Sequence, residues 1–544
     1  MRAPAAQHRF LRFREDRPAA TAADSPAAEA GPAEEVPPRL AMRWVLLGCL
    51  AISALTLLLP STPTYDPWAW LLWGRQIVEL DLITTGGPSW KPLPMLFIVP
   101  FQGIGELIGS ESFAPYAWVW ISRAGGLFAC VMSFRLARRL VGGGAAGWLA
   151  GAVAFAALFS SFKFVRDSAL GNSEPMMAAL VLWAFERHLD GRRDHALYLA
   201  SGAALMRPEI WPFLGLYGLW LWFTEPQLRL RMAALAVAVP ALWFVPEQWG
   251  SGDWFRAANR ANDPRADSPA FADFPAGEIL RRYRTTLAEP IVAAGLFGVL
   301  VAAVRYFRHL GPDSERRRDW ATIAIAAGGA GWLALVAGMT QAGYAGNQRY
   351  LIIPTVAIAV LAGVGVVRIP QGVRWLAAKR FSARAALGLA IASIVVFAIP
   401  TVPVVNSKLD QIEVIADDLE YEATLWDELR DVIDASGGDD ALIACKGLFS
   451  GSFQTQVIAY ELRLPGIRVG IQQPDPLPEG EPRKRFRGLI PPGAIFRTRT
   501  ASHLRPVPAV PAGAGYETLA ATKHWRVLTS PEGAPGCPAG SVTG

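Results

Sequence analysis

The stretch TYDPWAWLLWGRQ, residues 64–76, places one carboxylate, Asp66, among three tryptophans and an arginine, directly after the first long apolar run of the chain. A carboxylate there has two possible uses. Followed by Pro67, it can cap a helix whose first position the proline takes, with Trp68, Trp70 and Trp73 forming an interfacial aromatic belt. It can also serve as a general base at the outer membrane surface. The two roles are compatible, because a capped helix holds its carboxylate still. Lys91 follows in SWKPLP. A residue before proline sits on extended backbone, so the Lys91 ammonium either snorkels to lipid headgroups or contacts a phosphate.

Ionisable groups inside apolar runs are the next candidates. Arg123 follows YAWVWIS, and Arg207 and Glu209 interrupt the apolar run 196–223 at RPE. Charges at membrane depth cost about 2.5–3.5 kcal/mol each on insertion scales, so they face a cavity or each other. Arg207 and Glu209 therefore either tie off two helix ends or line a ligand cavity, for which Trp70, Arg123 and Glu174 are further lining candidates. Arg166, Asp167 and Glu174 lie near an outer boundary, as does Arg349 in GNQRYLIIP. Asp253, Asp263, Asp267 and Asp273 crowd the segment 247–288. Such a cluster admits a hard divalent cation, although its spacing matches no EF-hand loop. HExxH, a P-loop, paired CxxC and GxSxG are all missing, which removes zinc protease, ATPase and serine hydrolase readings.

The elements that position these groups are mostly membrane spans. The 544 residues are 52% hydrophobic and only 18% charged, and apolar runs close to span length recur along most of the chain. That pattern is a polytopic membrane protein rather than a large soluble core. Its net charge of +6 resides largely in Arg clusters between the runs, such as FRLARRL, RHLDGRRDH and YFRHLGPDSERRRD. Such clusters mark cytoplasmic turns, and none is interleaved with aromatics as a nucleic-acid surface would be. Spans are expected near 43–60, 115–136, 145–163, 175–189, 230–246, 290–305, 320–338, 349–367 and 386–402, with a broken pair over 196–223. The expected fold is all-α and polytopic, about ten spans plus the broken helix pair, with a C-terminal exported α/β domain. Three regions follow: a disordered cytoplasmic tail over 1–42, a membrane domain over 43–403 with an exported first loop 61–114, and an extracytoplasmic domain over 404–544. Segment 93–108, short and holding Pro94 and Pro100, reads as interfacial or re-entrant. In the last region EYEATLWDELRDVIDAS has helical periodicity, and DALIACKG, RVGIQQP, GAIFRTR and HWRVLTS read as strands. Cys49 and Cys130 fall in apolar runs, whereas Cys445 and Cys537 share the exported region, where a disulfide between them is expected.

In order, YD in the first exported loop, WKPLP, the Arg that opens the second span, LARRL, ALMRPE and RYLIIP resemble polyprenyl-phosphate-sugar-dependent glycosyltransferases of the GT-C superfamily. The nearest groups are the protein O-mannosyltransferase-like and lipid A aminoarabinose transferase-like families, and the resemblance covers about 43–400. It implies a polyprenyl-phosphate sugar as donor, a glycan, lipid or protein as acceptor, and a multi-pass place in the cell membrane with the N-terminus cytoplasmic and the C-terminal domain outside. Asp66 matches the family's proposed base, with Pro67 where relatives often keep a second acid. Lys91 matches the family's Lys-Pro lysine, Arg123 its second-span arginine, and Arg349 with Tyr350 its late Arg-Tyr pair. A sugar on a polyprenyl phosphate already carries a good leaving group, so the needs are a base for the acceptor hydroxyl and cations for the departing phosphate. Asp66 suits the first role. Lys91, Arg349 and Arg207 suit the second, with arginine adapted to bidentate contact.

Two other classes compete. Broken helices with charges at depth also occur in transporters and flippases, although no inverted repeat is visible. A non-catalytic envelope scaffold is the other alternative.

Overall fold

The computed structural model describes residues 42–264, 268–445, 447–471, 493–499, 506–508, 510, 516–529 and 537. The tail expected over 1–42 lies outside them except for Met42, where the first helix starts. That helix, α1 (Met42–Leu55), is followed by α2 (Tyr65–Val78), α3 (Pro92–Ile108), α4 (Phe113–Val141), α5 (Gly144–Phe159), α6 (Phe162–Ala169), α7 (Glu174–Leu189), α8 (Arg193–Ala204) and α9 (Trp211–Thr224). Next come α10 (Arg229–Ser251), α11 (Arg256–Ala261), α12 (Pro275–Arg284), α13 (Glu289–Phe307), α14 (Asp313–Gln341), α15 (Ile352–Ala377) and α16 (Ala383–Ala435).

Among the described residues, six helices are long and apolar enough to cross a membrane, or seven if the bent α5–α6 pair counts as one span. The expectation of about ten spans is therefore corrected. The difference lies in helix length. α5 and α7 have 16 residues each, about 24 Å at 1.5 Å per residue, against a hydrocarbon core of about 30 Å. α1, at 14 residues, is shorter still. The run 145–163 is not one helix, because its two parts meet at 69°. The broken pair is present as α8 and α9, with Arg207 and Glu209 between them, and neither half is span-length. The expected span 386–402 is the start of a single 53-residue helix, about 80 Å long, which runs on into the C-terminal domain and absorbs EYEATLWDELRDVIDAS.

α15 is the buried axis of the bundle, packed against α4, α5, α13, α14 and α16. Its glycines let neighbours approach closely: a Cβ on Gly365 would lie 1.8 Å from the Ala294 carbonyl oxygen of α13. Small residues at such contacts are the membrane way of packing helices, where lipid offers no hydrophobic drive between them.

The C-terminal domain carries α17 (Gly438–Ala444), α18 (Thr455–Glu461) and five strands, β1 (Leu448–Ser450), β2 (Val469–Ile471), β3 (Ala494–Thr498), β4 (Glu517–Ala521) and β5 (Trp525–Thr529). The sheet order is β2-β1-β3-β5-β4, with β1 parallel to β2 and β3 and the β3–β5–β4 part antiparallel. DALIACKG, expected as a strand, is mostly the helix α17. β1 and β4 are strands the alternation pattern did not single out. Cys445 is bonded to Cys537 across 92 residues of chain, while Cys49 and Cys130 are buried free thiols.

The domain is fastened to α2. Trp68 lies between the rings of Trp426 and Tyr460, at 4.9 and 5.1 Å between centroids. Arg75 stacks 3.7 Å from the Tyr460 ring centroid and donates to the Tyr460 carbonyl at 2.7 Å. Gln102 of α3 donates to both the Leu71 carbonyl and the Tyr460 hydroxyl. These contacts bury polar groups with partners, which such burial requires, and they hold the helix that carries Asp66.

Candidate active site

Three helix starts and one helix break meet at one end of the bundle: α2, α7, the 3-10 turn Gln348–Leu351 ahead of α15, and the α8–α9 break. The Arg-rich turns at the end of α4, between α7 and α8, and at the start of α14 occupy the opposite end. Thr64 takes the cap position just before α2, and the first turn of the helix contains Asp66. Asp66 is thus the second residue of the helix rather than its cap. The carboxylate turns instead to Arg349, with Asp66 Oδ2 and Arg349 Nη2 2.7 Å apart. The partial positive charge of a helix start favours a carboxylate at this position.

Glu174, the first residue of α7, is the hub. Its Oε1 accepts from Lys91 Nζ at 2.9 Å and from Arg207 Nη1 at 2.7 Å, and lies 3.8 Å from Arg349 Nε. Its Oε2 is buried without a hydrogen-bond partner among the described residues. Lys91 also donates to Ser173 Oγ at 2.8 Å and sits 4.9 Å from the Trp70 ring centroid. It holds the extended backbone expected before proline, φ −141° and ψ 108°. At 4% exposure it is not snorkelling to headgroups. Burial pushes its ammonium below the ordinary lysine value, and the charge of Glu174 opposes that.

Arg207 and Glu209 do pair across the helix break, at 2.5 Å. They do more than tie off helix ends, because the same guanidinium reaches Glu174 and lies 3.7 Å from the Tyr350 ring centroid. Tyr344 donates to Glu209 at 2.8 Å, and Asn347 donates to the Tyr350 hydroxyl at 3.0 Å. Arg349 also donates to Asn172 Oδ1 at 3.2 Å. Asp66, Trp70, Lys91, Glu174, Arg207, Glu209, Arg349 and Tyr350, scattered over nearly 300 residues of sequence, therefore form one buried network.

Arg123 does not join them. It donates to the Thr56 carbonyl and hydroxyl and to the Ala169 carbonyl, tying α4 to the end of α1 and to α6. Arg166 pairs with Asp418 of α16 at 3.4 Å. Asp167 accepts from Lys163 and from Asn172. Among the described residues no three His, Cys, Asp or Glu side chains come together as a metal site. Asp267 of the 247–288 cluster lies outside those residues, and Asp253 accepts from the Phe255 amide and Asn259. Asn172, Ser173, Tyr344 and Asn347 were not anticipated. Their signal was position: they flank Glu174 and Arg349 in the polar turns GNSEP and YAGNQRY.

Around Glu174 the charges balance: Lys91, Arg207 and Arg349 against Asp66, Glu174 and Glu209. The arrangement suits an anion that can take over the cations, with a carboxylate, Asp66, at the edge of the cluster.

No protein-family model matches the chain, and no curated protein does. Among solved structures, ArnT from Cupriavidus metallidurans bound to undecaprenyl phosphate has a TM-score of 0.50 at 14% identity, covering 92% of this chain and 99% of that one. The apo state of the same enzyme has a TM-score of 0.50 at 15% identity over the same shares. The archaeal oligosaccharyltransferase AglB from Archaeoglobus fulgidus, in complex with an inhibitory peptide and a dolichol-phosphate, covers 79% of this chain and 64% of its own at 12% identity, with a TM-score of 0.42. The likeness to ArnT is one of fold: this chain shares the overall architecture of that structure, a polytopic all-α membrane part with a C-terminal β-containing domain.

Proposed function

We propose that the protein is a membrane glycosyltransferase that moves a sugar from a polyprenyl-phosphate donor to an extracytoplasmic acceptor on a glycan, lipid or protein. The observation that carries this reading is the meeting of Lys91, Arg207 and Arg349 around one carboxylate oxygen of Glu174, beside Asp66. The positive-inside tendency of Arg-rich turns supports reading that end of the bundle as extracytoplasmic, together with the C-terminal domain, and the N-terminus as cytoplasmic. The working division is a membrane domain over 43–403 and an extracytoplasmic domain from 404 onward.

The chemistry needs little more than these groups. The acceptor hydroxyl attacks the anomeric carbon as the carbon–oxygen bond to the phosphate breaks, which inverts that carbon. The hydroxyl proton passes to Asp66, and the bonding electrons leave with the polyprenyl phosphate. Lys91, Arg207 and Arg349 hold the phosphate as its charge grows, in a site where exclusion of water strengthens each contact. Pro67 stands where a second acid would, so Asp66 is the sole carboxylate offered by that turn. The test is transfer of radiolabelled sugar from polyprenyl-phosphate donors by the purified full chain in lipid nanodiscs. A folded Asp66→Asn protein with undiminished transfer overturns the assignment of the base, and a parent protein inert towards every such donor and acceptor overturns the reading.

A further inference from the structure

A polar cavity of about 220 Å³ opens beside this network, lined by Phe162, Lys163, Thr285, Thr286, Gln348 and Lys408, with Gln411. Its walls come from α6, the end of α12, the turn before α15 and α16. We propose that this cavity is a binding subsite for a hydroxyl-rich phosphate group, the end of a sugar phosphate on the acceptor. The acceptor role rests on the glycosyl-transfer reading; the binding chemistry does not.

Charge argues for an anion. Lys163 is paired with Asp167, and Arg166 with Asp418 on the neighbouring rim. Lys408 has no carboxylate partner among the described residues; its one bond is a 3.4 Å contact to the Thr285 carbonyl. One cation is thus left uncompensated beside the cavity. The remaining lining argues for hydroxyl groups. Two carboxamides, Gln348 and Gln411, and two threonine hydroxyls present both donors and acceptors, and Phe162 adds an apolar face. Drug-sized ligands occupy roughly 300–1,000 Å³, so this smaller space suits a single sugar ring.

Position argues for the acceptor side. Gln348 precedes Arg349 in the chain. Lys163 reaches Asp167, which accepts from Asn172 at 3.1 Å; Asn172 accepts from Arg349 at 3.2 Å, and Arg349 lies 2.7 Å from Asp66. The cavity therefore borders the network on the Arg349 side, away from the Lys91 contact with Ser173. It also lies where α16 leaves the apolar part of its length, so the same chemistry could come from an anionic lipid headgroup.

The experiment is equilibrium binding of radiolabelled glucose 6-phosphate to the full chain in nanodiscs, without donor. In phosphatidylcholine discs, glucose should compete at least about tenfold less well than unlabelled glucose 6-phosphate, and Lys408→Ala and Gln411→Ala should each weaken binding by about tenfold or more, the scale of a bond to a charged group. Lys91→Ala should leave the affinity unchanged. Equal competition by glucose, or full affinity in both cavity variants, overturns the site. Loss of binding in Lys91→Ala also overturns it, because the phosphate is then held at the Glu174 cluster. Displacement of the sugar phosphate in phosphatidylglycerol discs assigns the cavity to lipid and overturns the acceptor role. Failure of glycosyl transfer is read separately, since none of these measurements contains a donor.

Discussion

Asp66 and Arg349 face each other at 2.7 Å, so the proposed base is held by a group also proposed to hold the phosphate. Asp66 is free to take a proton only once that guanidinium has another anion to bind. Donor phosphate supplies it, which couples arrival of the donor to release of the base. Asp66→Asn keeps the shape and a hydrogen-bond acceptor but cannot take the proton. The expected outcome is a fall in kcat of about 10²–10⁴, the usual contribution of a general base, with donor affinity little changed. Transfer kinetics and donor binding on the same preparation check it, and equal losses in both would assign Asp66 to binding rather than proton transfer.

Glu174→Gln removes the carboxylate on which three cations converge. Breaking a buried ion pair from one side costs about 3–5 kcal/mol, because the partner charge stays buried and unpaired. The variant should melt well below the parent. Polyprenyl phosphate should then raise its melting temperature more than it raises the parent's, because the phosphate replaces the missing charge. Thermal unfolding with and without the lipid phosphate measures both shifts, and equal shifts would remove Glu174 from the phosphate path.

Much of this site was legible in the sequence because charges in apolar surroundings are costly and so stand out: Asp66, Lys91, Arg207, Glu209 and Arg349 were each visible as exceptions. Which of them pair with which was not. That Glu174 rather than Glu209 is the hub, and that Arg123 belongs to a separate tie between helices, depends on how α4, α7 and α8 pack, which no local pattern encodes. The all-α membrane fold and the broken α8–α9 pair were legible from apolar run lengths. The number of spans was not, since hydropathy sees an apolar run but not the 69° bend within 145–163 or the fusion of 386–402 into a 53-residue helix. In the C-terminal domain, alternation found β2, β3 and β5. It misread α17, where a short apolar run fits either period.

Trp68 stands two residues from Asp66 and packs between Trp426 and Tyr460. Trp68→Ala therefore tests whether the C-terminal domain holds the base in place. Replacing a buried tryptophan by alanine costs about 3–5 kcal/mol. Hydrogen exchange should rise in α2 and α18 together, and kcat should fall while donor affinity holds, because the cations lie on other elements. Exchange confined to α18 would show that α2 is held without the domain.

Glu461, the last residue of α18, offers a pH test of the same contact. Burial pushes its carboxyl above the ordinary glutamate value; the Trp426 indole, donating at 2.9 Å, opposes this, and Glu111 adds to it. An acid whose folded pKa is raised binds its proton more tightly in the folded chain. Its stabilising contribution is complete below the unfolded value, about pH 4.3, and is lost as pH rises through the folded value. Glu461→Gln keeps an acceptor for Trp426 without the ionisation. The variant should therefore match the parent in melting temperature near pH 4 and exceed it near pH 8. Melting curves of the full chain at both pH values decide it, and a variant less stable than the parent at the higher pH would show that the ionised carboxylate is the stabilising form.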